Sequence, residues 1–70
     1  MQAVAVHPYV GIEDGQLSFP AGATIEVVAG DKGGWSTGRF DGEEGLFPSS
    51  YVEFKWVFLW NPVENLNKQV

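Results

Sequence analysis

Ten aromatic rings and nine carboxylates dominate the side chains able to do chemistry in this 70-residue chain. Against them stand four Lys and Arg, one histidine and no cysteine. Ser49, Ser50, His7 and Asp14 supply the group types of a hydrolytic triad. Nothing in their spacing supports one, and so small a chain has little room for a cleft that excludes water. Without cysteine, disulfides and thiolate metal sites are excluded, and one histidine is too few for a His-ligated zinc or cofactor. Gly30, Gly33 and Gly34 precede an extended segment rather than a helix, so they are no phosphate loop. No catalytic residue, metal ligand or cofactor is expected.

Recognition by surface is what remains. Three Trp, two Tyr and five Phe are more rings than a core of this size holds, so several must face solvent. The formal charge of −5 excludes most nucleic-acid partners, since neutralising phosphates takes Lys and Arg. The longest apolar run, Trp56 to Trp60, falls far short of the roughly 20 residues of a membrane span. No basic region precedes an apolar core at the N-terminus, so neither a signal peptide nor membrane insertion is expected. A cytoplasmic location follows as an expectation.

The elements that must position the rings read as antiparallel β-structure. All nine glycines lie between Gly11 and Gly45 and punctuate short apolar stretches. Ala3–Val6 is apolar on both faces. Val10–Gln16 is polar and turn-rich. Leu17 and Phe19 alternate onto one face, as do Ile25 and Val27 in Thr24–Val27. Gly22 suits a type II turn. Ala29–Gly34 reads as a polar loop. Trp35–Phe40 and Glu44–Phe47 read as strands joined at Asp41-Gly42, a strong hairpin signal. Pro48-Ser49-Ser50 suits one 3₁₀ turn before a last strand at Tyr51–Glu53. Five strands in about 54 residues cannot bury two faces as an open sheet, and curl into a small barrel.

Four blocks of this pattern resemble the SH3 domain family. Ala5-Val6-His7-Pro8-Tyr9 stands where that family has ALYDY. Leu17-Ser18-Phe19 with Gly22 resembles LSF-x-x-G, and Trp35 with Gly38 matches WWxG, Ser36 replacing the second Trp. Gly45-Leu46-Phe47-Pro48-Ser49-Ser50-Tyr51-Val52 resembles the family's last block. The blocks come in family order and spacing over residues 3–54. The resemblance implies an all-β, five-stranded antiparallel SH3-like barrel with a C-terminal extension. It also implies a non-catalytic interaction module that binds proline-rich peptides as an adaptor or scaffold.

By that resemblance, Tyr9, Trp35, Pro48 and Tyr51 converge into a shallow groove for prolines of a polyproline II helix. Flat rings with a polar tip suit that role, and such a peptide is stiff before it docks. Glu13 and Asp14 in one loop and Asp31 in another would flank a pocket for an Arg or Lys beside the PxxP core. Gln16 stands where many members carry an acid. His7 replaces the first tyrosine of ALYDY; an imidazole there either packs on proline with less apolar area than a tyrosine or is a tolerated substitution at a half-used pocket. Pro8 replaces the usual Asp, and Ser50 replaces an Asn whose amide would bond the ligand. Glu43 and Glu44 read as a solvated face.

After Phe54 the resemblance ends. Trp56, Phe58 and Trp60 would share one face of an extended segment, and Asn61-Pro62-Val63-Glu64 has a helix-start pattern. Left bare, this stretch would be prone to aggregate. It either packs on its own barrel, pairs between chains, or opens a following segment. The expected organisation is a barrel over 1–54 and a tail over 55–70, as a monomer or a tail-mediated dimer. The alternative function is an assembly module whose tail drives self-association or covers the groove. Charge is unevenly divided: eight acids and two bases before residue 55, one acid and two bases after it. The acidity of the first part points to a basic ligand.

Overall fold

The structure, a computed structural model, describes residues 1–55. Five strands form: β1 (Gln2–Ala5), β2 (Thr24–Lys32), β3 (Trp35–Phe40), β4 (Glu43–Pro48) and β5 (Val52–Lys55). A 3₁₀ turn, Ser49–Tyr51, links β4 to β5. The strands make one antiparallel sheet in the order β4-β3-β2-β1-β5. The aromatic segment from Trp56 and the helix start at Asn61 lie outside the described residues.

Alternation builds the core. Ala3 and Ala5 of β1, Ile25 and Val27 of β2, Phe47 of β4 and Val52 of β5 all turn inward. Leu17 and Phe19 join them from the connecting segment, as their period-two spacing requires. Phe19 and Phe47 meet edge to face at 5.7 Å. This sets the two buried rings within a core otherwise made of aliphatic residues.

Turn chemistry sets the register. Asp41 and Gly42 take φ of 54° and 82°, so both central residues of the β3–β4 hairpin are left-handed, as a type I′ turn needs. Phe40 then pairs with Glu43 and the ladder runs without a slip to Trp35 opposite Pro48. The segment Ala29–Gly34 differs from its reading as a loop. Strand β2 continues through Lys32, which pairs with Trp35 across a two-residue Gly33-Gly34 turn. Register shifts on either side of Ala29 keep this extension irregular. Every residue from Val28 to Lys32 is exposed, so no burial alternation marks the strand in the sequence.

Three smaller shifts have equally local causes. The chain bends at Val6, which is half exposed, so β1 ends at Ala5. Leu17–Phe19 is no full strand: Phe19 forms an isolated bridge with Tyr9, and Gln16, just before it, another with Leu46. Tyr51 belongs to the 3₁₀ turn, one residue later than Pro48-Ser49-Ser50 would place it, and β5 begins at Val52.

The outer edge of β4 closes onto the segment before Leu17. Leu46 N–H donates to Gly15 O and Leu46 O accepts from Leu17 N–H, both at 2.8 Å. Gly45 makes this possible. A Cβ there would lie 2.8 Å from Gly15 O and 2.9 Å from Leu17 N, inside van der Waals contact with backbone. Gly45→Ala should therefore destabilise the domain by about 1–3 kcal/mol, read as a lower urea midpoint. An unchanged midpoint would show that the edge closure contributes nothing.

Candidate functional site

Four rings stand in a row on the outside of the barrel. His7 meets Tyr51 at 5.7 Å and 73°, Tyr51 meets Tyr9 at 5.5 Å and 84°, and Tyr9 meets Trp35 at 6.3 Å and 71°. Each contact is edge to face, the arrangement in which a positive ring edge faces a negative ring face. Trp35 is 37% exposed, the most open of the large aromatic side chains that face out.

Backbone bonds fix the row from beneath. Tyr9 and Phe19 exchange two N–H···O bonds of 2.9 Å, and their rings pack at 6.0 Å. Phe19 in turn touches Phe47, so the row is anchored to the core through Tyr9. Tyr51 O accepts from Val6 N–H at 2.8 Å and His7 N–H at 3.3 Å, which ties the end of β1 to the 3₁₀ turn. Pro48 is the cross-strand partner of Trp35 and half-buried beside it. Ser50 is exposed on the 3₁₀ turn next to Tyr51. The indole also walls a shallow open depression of about 350 Å³ with Lys32, Thr37 and Leu46.

The acidic residues divide. Glu13 and Asp14 sit at an exposed turn ahead of Gly15, which Gln16 N–H closes onto Glu13 O at 3.2 Å. No hydrogen bond or ion pair joins either carboxylate to the rings or to Asp31 among the described residues. Asp31 lies near the end of β2, beside the Lys32–Trp35 pair. Its Oδ1 accepts from Ser49 Oγ at 2.6 Å, so this carboxylate is held rather than loose. Glu44 is part of an exposed ion pair with Arg39 at 2.9 Å across β3 and β4. Exposed pairs of this kind contribute at most about 1 kcal/mol. The described residues contain no cluster of His, Cys, Asp and Glu suited to a metal.

Two polar features were not singled out by residue type. Gln16 Oε1 accepts from the Tyr9 hydroxyl at 3.2 Å and from the backbone N–H groups of Ile12 and Glu13 at 3.2 and 3.4 Å. One amide oxygen thus bonds a tyrosine of the row and the backbone of the turn beside it. Ser36 is 1% exposed and its Oγ lies 2.6 Å from Ser49 Oγ. A serine at a strand position gives no sequence signal for this, although its departure from a Trp-Trp pair marks the place. Gln16→Ala should loosen residues 11–15, with backbone order parameters falling toward about 0.6, while Gln16→Glu keeps the acceptor and the order. Equal order in both variants would remove Gln16 from this role.

A family model for the SH3 domain matches residues 4–49. The Rho GTPase-activating protein gacJJ of Dictyostelium discoideum is 43% identical over 58 residues, covering 73% of this chain. The chain spans 7% of the length of that curated relative, and 4% to 13% of others that it matches. Among solved structures, the C-terminal SH3 domain of myosin IB from Entamoeba histolytica, bound to an EhFP10(GEF) peptide, is 38% identical. Its TM-score is 0.70, over 74% of this chain and 77% of that one. The SH3 domain of a hypothetical 40.4 kDa protein of S. cerevisiae, in complex with a peptide, is 39% identical. There the TM-score is 0.72, over 77% and 93% of the two chains.

Proposed function

The chain belongs to the SH3 domain family, whose members are peptide-binding interaction modules, and we propose that it is a non-catalytic adaptor that binds proline-rich peptides with basic flanks. The row of edge-packed rings from His7 to Trp35 is the observation that carries this reading. Prolines of a polyproline II helix present flat apolar rings at a three-residue repeat, and they fit between aromatic walls without losing much freedom. The peptides bound to two of the solved relatives support a peptide as the ligand class. The gaps on either side of Tyr9 and Tyr51 take the prolines, with Pro48 and Ser50 at the margin and His7 at the rim.

Charge supplies the second half of the ligand. Glu13 and Asp14 on the turn before Gly15, and Asp31 near the end of β2, are exposed acids. A guanidinium set against them would form charge-assisted bonds that also orient the peptide. No helix of the described residues is long and apolar enough to cross a membrane. Action in the cytoplasm on segments of partner proteins, or of a parent chain, is part of the proposal. So is the division into a barrel over 1–54 and a separate tail.

Trp35→Ala should weaken a proline-rich peptide by about 2 kcal/mol or more, measured by titration calorimetry, with the β-sheet circular dichroism unchanged. Unaltered affinity in that folded variant would remove the groove. Raising salt from low to about 0.5 M should weaken an Arg-flanked peptide more than a neutral one, because exposed charges are screened. Equal loss for both would place the cation pocket elsewhere or nowhere.

A further inference from the structure

A chain of three polar groups runs from the core to the rim of the groove. Asp31 carboxylate can only accept, so the 2.6 Å contact is donated by Ser49 Oγ. The proton of Ser49 is thereby spent, and the 2.6 Å contact between Ser49 and Ser36 must be donated by Ser36. Ser36 is 1% exposed and faces Phe47 across β3 and β4, where no solvent reaches its hydroxyl. The acceptor-only carboxylate fixes the direction of both bonds, and burial requires the Ser36 hydroxyl to find its partner within the protein.

The backbone reinforces the same geometry. Ser49 N–H donates to Gly34 O at 2.9 Å, tying the 3₁₀ turn to the turn that ends β2. Asp31 is therefore bridged to the residue that follows Pro48, across the end of β3 where Trp35 stands. Its second carboxylate oxygen has no protein partner among the described residues, and neighbouring Lys32 forms no ion pair there. Glu13 and Asp14, by contrast, have carboxylates held by no side-chain bond among the described residues. Of the three acids, one is oriented.

We propose that Ser36 and Ser49 are positioning residues that orient Asp31 as the groove's cation anchor and so set its preference for an Arg or Lys flank. This rests on the peptide-binding reading above. A free surface carboxylate samples several rotamers, and ordering it on binding costs affinity. Asp31 is ordered beforehand, at the expense of one oxygen, and offers the other to a guanidinium in a single direction.

The test compares two synthetic peptides with one PxxP core, one flanked by Arg and one by Gln, against the full 70-residue chain. Ser49→Ala should lower the ratio of their affinities by about threefold or more, with little change for the Gln peptide. Ser49→Thr keeps the hydroxyl and should restore the ratio. If the orphaned Ser36 hydroxyl unfolds the single variant, the double variant Ser36→Ala/Ser49→Ala removes the orphan and serves instead. In an Asp31→Asn background the serine changes should leave the ratio alone. A ratio unmoved by Ser49→Ala, or equal losses for both peptides, overturns the positioning role. Should the unaltered chain bind both peptides without preference, this inference falls and the groove stands; should it bind neither, both fall.

Discussion

The closure of β4 onto residues 15–17 is the constraint on which the rest of the structure depends. An edge strand offers a row of unpaired N–H and C=O groups that must be paired or hidden. At Leu46 both are taken by Gly15 and Leu17, and the absence of a side chain at Gly45 allows the backbones to approach. That contact delivers Leu17 and Phe19 to the core from a stretch that is not itself a full strand. It also brings the long loop back beside the sheet, so that Tyr9, seven residues before Gln16, lies over Phe19 and next to Trp35. Without the closure the loop would carry its tyrosine and its acids away from the tryptophan.

Recognition surfaces in so small a protein must share parts with the core. Tyr9 is one such part: its ring packs on Phe19 and its edge on two further rings, while its hydroxyl is bonded to Gln16. Tyr51 is another, with its ring in the row and its carbonyl holding the end of β1. Rings so constrained lose little further freedom when a ligand arrives, which favours binding. For the peptide binding proposed above, so small a contact area implies affinity on the order of micromolar. Specificity then depends on the few polar groups whose directions are fixed.

Apolar periodicity and turn residues made most of the fold legible. Ile25 and Val27, Leu17 and Phe19 all face inward as their spacing requires, and Asp41-Gly42 makes the expected hairpin. The family blocks added which aromatic residues share a surface. Strand β2 beyond Val27 was not legible, because a strand exposed on every residue lacks the alternation by which strands are read. The roles of Gln16, Ser36 and Ser49 were not legible either. Their bonds to other side chains are made across seven or more residues, and a polar side chain carries no mark of the partner that folding will bring to it.

Asp31 shows how these two kinds of information meet. As a residue type it is one exposed acid among eight before residue 55, balanced there by only Lys32 and Arg39. Arg39 is paired with Glu44, which cancels one charge of each sign and leaves the excess of negative charge unchanged. Such a field speeds the encounter with any cationic partner but does not choose among them, because it acts at a distance and is screened by salt. Choice requires a carboxylate whose direction is settled before contact. On the reading proposed above, Ser36, hidden beside Phe47, and Ser49 at the surface supply it. The core therefore reaches the groove by two routes: through Phe19 to the rings, and through a buried hydroxyl to the charge.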